Sequence, residues 1–255
     1  MAVRKFANYD FRGQSAGSIK TSPSGAGTIN VIGVSNTTDV DVYTFPGQPL
    51  PLMFSQLGAQ GASIQVGNTA NGLILPVAVG ASLGCAIETA NVSSPSSPAC
   101  FTVGTDPAFY AQATFQLATG ANNRIVGVGF HTATTLDATV GDWTVANLVA
   151  ANATPYADFA FAGFEATAAH STMKTNSGAG TDTPTGGAVL GNGGNVTMRV
   201  MVSATRVVTT TQNGGTLTTF GTLTNAIVVS PFFVYIGDAA TGTTCNIQNF
   251  QWGWQ

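Results

Sequence analysis

A strict alternation of apolar and polar residues is the feature that most restricts the fold of this chain. Residues 109–117 carry phenylalanine, alanine or leucine at every odd position and tyrosine, glutamine or threonine between them. Residues 195–203 carry valine or methionine at every even position. A period of two residues is that of a strand with one buried face. Since no segment combines a sustained 3.6-residue period with helix caps, we predict an all-β protein with no helix longer than two turns.

Turn signals and aromatic residues organise the C-terminal part of the chain. Asn213-Gly214 predicts a tight hairpin, because asparagine and glycine tolerate the positive φ that such turns need. The chain ends with Phe250, Trp252 and Trp254 on one face of a strand. Large aromatic side chains need burial, so we expect this last strand to lie in the centre of a sheet.

Glycines and prolines divide the rest of the chain. Gly127 and Gly129 lie inside a predicted strand, which suggests the close approach of another backbone or of a ligand. Residues 173–194 are rich in glycine, threonine and asparagine and are predicted to form a long loop. Prolines at positions 46, 49 and 51 form a rigid connector, which we take as the boundary between an N-terminal arm and the body of the protein. We therefore predict an N-terminal arm with short strands over residues 1–47 and a β-sandwich over residues 48–255.

Charge is scarce in this sequence. Only 7% of the 255 residues are charged, against about 25% in ordinary soluble domains. So neutral a surface suits a protein held in a permanent assembly, and a net charge of −3 does not predict a nucleic-acid partner. No apolar run is long enough to cross a bilayer, so no membrane partner is expected. Without a secretory signal or a CxxC motif, we expect synthesis in a reducing cytoplasm with buried thiols, a Cys85–Cys100 bridge being the minor alternative.

Half of the eight basic residues lie in the first twenty positions, among glycines and three aromatic residues. A purely solvating tail would not need the aromatic rings, so we expect this arm to order on a partner, with a free tail as the alternative. The predicted partner-binding residues are Arg4, Lys5, Phe6, Tyr9, Phe11, Arg12 and Lys20.

The residues that could carry chemistry are few. His131 and His170 are the only histidines, and His131 could sit at a strand end near Asp137 or Asp142. No tight set of metal ligands, no Ser-His-Asp arrangement and no phosphate-binding loop can be assigned. We therefore predict no catalytic residue, no metal and no cofactor.

The order of strands from Phe109 onward resembles that of the concanavalin A-like jelly roll. The resemblance covers residues 48–255 and rests on the strand at 109–117, the IVGVGF run before His131, the strand at 196–202 and the aromatic ending at Phe250, Trp252 and Trp254. It implies an antiparallel β-sandwich of jelly-roll type.

The same resemblance implies two kinds of site to look for. Glycoside hydrolases of this fold carry paired carboxylates in a Glu-x-Asp-x-x-Glu type run, whereas Glu88 and Glu165 lie far apart and Asp158 and Glu165 fall on opposite strand faces. We therefore predict a protein that is not an enzyme. Lectins of this fold bind sugar with calcium, and the nearest candidate residues for such a site are Asp137, Asp142, Trp143 and Asp158.

The whole chain also resembles structural proteins of tailed bacteriophages, above all capsid decoration proteins. That resemblance implies a non-enzymatic virion protein that binds the major capsid protein, forms a homotrimer and stabilises the capsid surface. The alternative from another class is a carbohydrate-binding or receptor-binding jelly-roll module.

Overall fold

Every regular element that the structure describes is a β-strand. The computed structural model describes residues 6–11, 28–31, 40–43, 52–57, 64–69, 72–76, 84–89, 100–117, 123–132, 157–165, 168–175, 181–184, 193–237 and 244–255. Within these ranges no helix occurs, and so none has the length and hydropathy that would cross a bilayer. The prediction of an all-β fold is confirmed.

The described strands form two antiparallel sheets, here named sheet A and sheet B. The strands of sheet A are β1 (Phe6–Asp10), β2 (Thr28–Val31), β5 (Ile64–Thr69), β6 (Gly72–Pro76), β9 (Phe109–Leu117), β14 (Asn195–Val202), β15 (Val207–Gln212), β16 (Gly215–Thr222) and β18 (Thr244–Trp254). The strands of sheet B are β3 (Val40–Tyr43), β4 (Leu52–Leu57), β7 (Gly84–Thr89), β8 (Phe101–Thr102), β10 (Asn123–His131), β11 (Phe159–Glu165), β12 (Ala168–Lys174), β13 (Thr181–Pro184) and β17 (Val228–Gly237).

Strand order explains how the sheets are built. Sheet A runs β16-β15-β14-β9-β18-β6-β5-β2, and β1 also pairs with β18. Sheet B runs β13-β12-β11-β10-β17-β7-β4-β3, and β8 also pairs with β17. The central neighbours β14-β9, β9-β18, β18-β6, β10-β17 and β17-β7 are far apart in sequence, as the crossing connections of a jelly roll require.

The inner faces of the two sheets meet in an aromatic core. On β9 every odd residue is buried and every even residue is partly exposed, as the period of two predicts. Phe109 packs edge-on against Phe130 of sheet B, with ring centroids 5.1 Å apart, and Phe115 packs against Phe233 at 5.5 Å. These contacts join the layers, so burial of apolar area between the sheets holds the sandwich together.

The final strand lies in the interior of sheet A, as its aromatic residues predict. It pairs with β9 from Cys245 to Trp254, and Trp252 is only 3% exposed. Two strands pair with the edge of β18 that faces away from β9. β6 pairs with Thr244–Ile247, and β1 pairs with Asn249–Gly253. A β-bulge at Gln248 separates the two partners, and its carbonyl oxygen accepts a hydrogen bond of 2.9 Å from the backbone N–H of Phe11.

The pairing of β1 corrects the predicted arm. Ala7, Tyr9 and Phe11 are buried in the core between the sheets, and five residues of β1 pair with β18. The expectation that this segment orders only on a partner is wrong for residues 6–11, which pair within the protein's own sheet. Apolar residues at alternate positions of this segment supply the period of two that sheet pairing needs.

One strand was also missed inside a predicted loop. Residues Thr181–Pro184 form β13, which pairs with β12 at the edge of sheet B. Its four residues are too few to show an alternating pattern, and its threonines favour a strand only once a neighbouring strand is present.

The cysteine prediction agrees with the described thiols. Cys100 and Cys245 are buried, and neither forms a disulfide bond. The Sγ atom of Cys100 instead lies 3.5 Å from the Oγ1 atom of Thr89.

Candidate functional site

The outward face of sheet A carries a field of amide and hydroxyl side chains. Because cross-strand partners point to the same side of a sheet, the strand register decides which side chains meet. Gln112 of β9 lies opposite Arg199 of β14 on one side and opposite Gln251 of β18 on the other, and Gln251 in turn lies opposite Asn8 of β1. Four strands therefore contribute one continuous row of polar groups.

A second row lies beside the first. Thr114 of β9 is opposite Thr197 of β14 and Asn249 of β18, and Asn249 is opposite Asp10 of β1. The Oγ1 atoms of Thr114 and Thr197 are 2.9 Å apart, which is hydrogen-bonding distance. The two rows together form a polar floor on the sheet.

The bulge at Gln248 gives this floor its shape. An extra residue in one strand shifts the alternation of inward and outward side chains by one position. After the bulge, the aromatic residues of β18 therefore point inward and the amide residues point outward. Phe250 and Trp252 are accordingly buried, while Asn249 and Gln251 are partly exposed. Gln248 donates a 2.9 Å hydrogen bond from Nε2 to the Oδ1 atom of Asn195, which fixes its side chain.

A groove of about 280 Å³ opens over the floor, and we name it the amide groove. The residues that line it are Asn8, Gln112, Thr114, Gln248, Asn249 and Gln251. None of these six residues carries a formal charge.

Some of the groove amides are held and others are available. Asn249 donates from Nδ2 to the Oδ1 atom of Asn8, and the same Nδ2 lies 3.4 Å from the carbonyl oxygen of Tyr9. The side chains of Gln112 and Gln251, by contrast, make no hydrogen bond to another residue in the described part of the chain. Each presents an N–H₂ donor and a carbonyl acceptor at the partly exposed side of its strand.

An arginine and a tyrosine adjoin the β14 side of the groove. The guanidinium carbon of Arg199 lies 4.0 Å from the ring centroid of Tyr110, a cation–π arrangement. Burial lowers the pKa of Arg199, and Tyr110 opposes this shift. The stacked guanidinium thus belongs to the cross-strand neighbour of Gln112.

The outward face of sheet B has a different character. Phe159, Phe161 and Phe232 are buried there, with the Phe161 and Phe232 rings 13° from parallel. Beside them, the Nε2 atom of His131 lies 2.6 Å from the Oε1 atom of Glu88, and both side chains are fully buried. His131 does end a strand, as predicted, and its partner is Glu88; Asp137 and Asp142 lie outside the described residues.

The glycines of β10 are explained by these rings. A Cβ atom added to Gly129 would collide with the backbone oxygen of Ala160 and would lie 3.0 Å from the Phe232 ring. An added Cβ at Gly127 would lie 2.5 Å from the Phe161 ring. The prediction of a close backbone approach is confirmed, and the approaching groups belong to the protein itself.

The carboxylates do not assemble into a pair. The outward positions of β11 hold Phe159, Phe161 and Gly163 before Glu165 is reached, so aromatic rings and glycine stand where a carboxylate run would be needed. Asp158 is buried, and its Oδ1 accepts a 2.9 Å hydrogen bond from the backbone N–H of Thr224. Among the described residues, no three histidine, cysteine or acidic side chains form a group that could hold a metal ion.

Three of the seven predicted partner-binding residues are described, and Phe6, Tyr9 and Phe11 lie on or directly after β1. Tyr9 and Phe11 are buried in the core, Phe6 begins β1, and burial raises the pKa of Tyr9, with a smaller contribution from Cys100. Arg4, Lys5, Arg12 and Lys20 lie outside the described residues, as does Trp143 of the lectin-type candidates. Tyr9 and Phe11 are therefore not available as docking rings.

The amide groove was missed by the sequence analysis, although its signal was present. The polar positions of residues 109–117 indicated only the second face of a half-buried strand. Gln112 and Thr114, together with Asn249 and Gln251, are outward residues of two strands that are distant in sequence. Only the pairing of these strands brings the four side chains together.

No protein-family profile matches the chain, and no curated protein is similar to it in sequence. Solved structures share its fold. A β-glucanase of Bacillus licheniformis is 10% identical with a TM-score of 0.50, covering 100% of this chain and 99% of that chain. The carbohydrate recognition domain of Emp46p in its potassium-bound form is 6% identical with a TM-score of 0.51, covering 78% of this chain and 87% of that chain. At such identities the likeness is one of fold, and the fold of this protein is the concanavalin A-like jelly roll.

Proposed function

We propose that this protein is a non-catalytic carbohydrate-binding protein whose ligand lies in the amide groove of sheet A. The observation that carries the proposal is the groove itself, an uncharged concavity lined by amide and hydroxyl groups from three strands, β1, β9 and β18. Sugar hydroxyls both donate and accept hydrogen bonds, and a glutamine amide offers both functions in one side chain. Gln112 and Gln251 are the residues that we expect to contact the ligand directly.

The fold supports this proposal only in a general way. A β-glucanase and a carbohydrate recognition domain share the architecture, and a shared architecture does not carry a shared ligand. The absence of a carboxylate pair on the outward strand faces described above favours binding over hydrolysis, because hydrolysis of a glycosidic bond needs two such groups.

The experiment is a glycan array followed by calorimetric titration of the best ligands. Gln112→Ala and Gln251→Ala should each weaken binding about 2- to 10-fold, the effect of one or two neutral hydrogen bonds. Gln116→Ala is the matched control, because Gln116 lies on the same strand and face but outside the groove lining. Absence of any glycan ligand for wild-type protein would refute the proposal.

The capsid-decoration hypothesis stays a prediction. Its partner, the major capsid protein, its homotrimeric state and its location on the virion surface are not tested by any contact or similarity described above. Burial of Tyr9 and Phe11 removes one of the observations that motivated it. Copy counting by mass spectrometry of purified particles, with light scattering of the isolated protein, would test both the location and the trimer.

A further inference from the structure

Arg199 places a positive charge on β14, next to the amide groove but outside the six residues that line it. It lies directly opposite Gln112 on the neighbouring strand, and Gln112 lies opposite Gln251. The three side chains therefore stand in one row across the outward face of sheet A. Neighbouring strands are about 4.8 Å apart. A ligand that contacts both glutamines therefore lies one strand away from the position of Arg199.

The guanidinium group is held in place and lacks an acidic partner. Its face is covered by the ring of Tyr110 at 4.0 Å. Its Nε atom is buried and has no hydrogen-bond partner, and no carboxylate in the described part of the chain is paired with it. Because the Nε atom is closed to solvent, a ligand entering from solvent would bind the Nη groups of this partly exposed residue.

The geometry points to an acidic glycan as the ligand class: we propose that Arg199 binds the carboxylate of a uronic or sialic acid unit, while the groove amides bind the sugar hydroxyls. This inference rests on the glycan-binding function proposed above. Arg199 is partly exposed, and the two Nη groups of a guanidinium match a planar carboxylate through two parallel hydrogen bonds.

One acidic residue shares this face and must be considered. Asp10 lies on β1, opposite Asn249, three strands from β14 in the sheet order. Three strand spacings amount to about 14 Å, which exceeds the Debye length of about 8 Å at physiological ionic strength. Asp10 therefore does not cancel the charge of Arg199, and it favours the orientation that places the acidic unit at the β14 end.

The test pairs acidic glycans with their carboxyl-reduced, neutral counterparts. We expect the tightest ligands on an array to carry a carboxylate, and reduction of that group to weaken binding to wild-type protein about 10- to 100-fold, as for loss of a charged hydrogen-bonded pair. Arg199→Gln should weaken binding of the acidic glycan by the same factor. This variant should bind the carboxyl-reduced glycan as tightly as the acidic one. Arg199→Lys should fall between, because it keeps the charge but not the planar fork.

The controls separate this inference from the function on which it rests. Arg206→Gln changes the net charge by the same amount at a residue outside the row of Arg199, Gln112 and Gln251, and it should bind like wild type. If neutral glycans bind as tightly as acidic ones, or if only sulfated glycans bind, the carboxylate assignment is wrong and the glycan-binding function survives. If no glycan binds at all, the proposed function fails first. Should Arg199→Gln not fold, carboxyl reduction tested on wild-type protein decides the matter alone.

Discussion

Gly129 determines how closely the Phe232 ring and the neighbouring strand approach β10. A methyl group at this position would collide with the Ala160 carbonyl oxygen, which belongs to the backbone and cannot turn away. We expect Gly129→Ala to lower the free energy of unfolding by about 1–3 kcal/mol, the usual cost of overpacking. Urea denaturation measures this.

Gly221→Ala is the control for that substitution. An added Cβ at Gly221 would meet only the Cε atom of Met173, at 4.0 Å, and the residue is exposed on β16. We expect no loss of stability, because alanine costs less backbone entropy than glycine on folding. Equal destabilisation by the two substitutions would mean that steric contact at Gly129 is not the cause.

The His131–Glu88 pair should also make a measurable contribution to the free energy of unfolding. Both side chains are fully buried and joined at 2.6 Å. Glu88→Ala should lower the free energy of unfolding by about 1–3 kcal/mol, because it leaves a buried ring nitrogen of His131 without this partner.

A double-mutant cycle with His131→Ala separates the pair from its surroundings. If the contact between the two side chains accounts for most of their effect, the double variant should lose clearly less free energy of unfolding than the two single variants lose together. Additive losses would show that the two residues stabilise sheet B independently of one another.

At the scale of elements, β1 behaves as part of the sandwich and not as an appendage. It buries Ala7, Tyr9 and Phe11 and completes the edge of β18 beyond the bulge. Deleting residues 1–11 should lower the stability by more than the loss of one buried ring, about 3–5 kcal/mol. Thermal denaturation measures this, and deletion of residues 1–5, which keeps the strand, is the matched control.

The same deletion should weaken glycan binding as well, because Asn8 lines the groove. An unchanged melting temperature after deletion of residues 1–11 would show that the segment does not stabilise the sandwich and is a dispensable arm. The sequence prediction for this segment was wrong because basic residues and glycines around it suggested solvent exposure, whereas its pairing partner lies at the other end of the chain.

At the scale of the whole molecule, binding without turnover is the expected behaviour. Incubation with β-glucans and with acidic polysaccharides should release no reducing ends, because the outward positions of β11 carry phenylalanine and glycine before Glu165. A reducing-sugar assay measures this, with an active glucanase as the positive control. Turnover that Glu165→Gln abolished would show that the protein is an enzyme.

The sequence by itself determined the class of fold and the inner faces of the long strands. The period of two in residues 109–117 and 195–202 identified which side chains are buried, because alternation is a local property of an extended backbone. The aromatic ending identified β18 as central for the same reason, since Trp252 has too much apolar area to remain in water. The hairpin at Asn213-Gly214, with φ angles of 50° and 86°, was likewise fixed by local chemistry.

Only the tertiary structure decided which polar faces meet. The amide groove joins Asn8 to Gln251 and Gln112, and no local pattern encodes the pairing of strands that are so far apart in the chain. The bulge at Gln248 and the close contact at Gly129 depend in the same way on neighbours from other elements. Register is set by the global burial of apolar area, so a site built across strands is established only when the whole sandwich has formed.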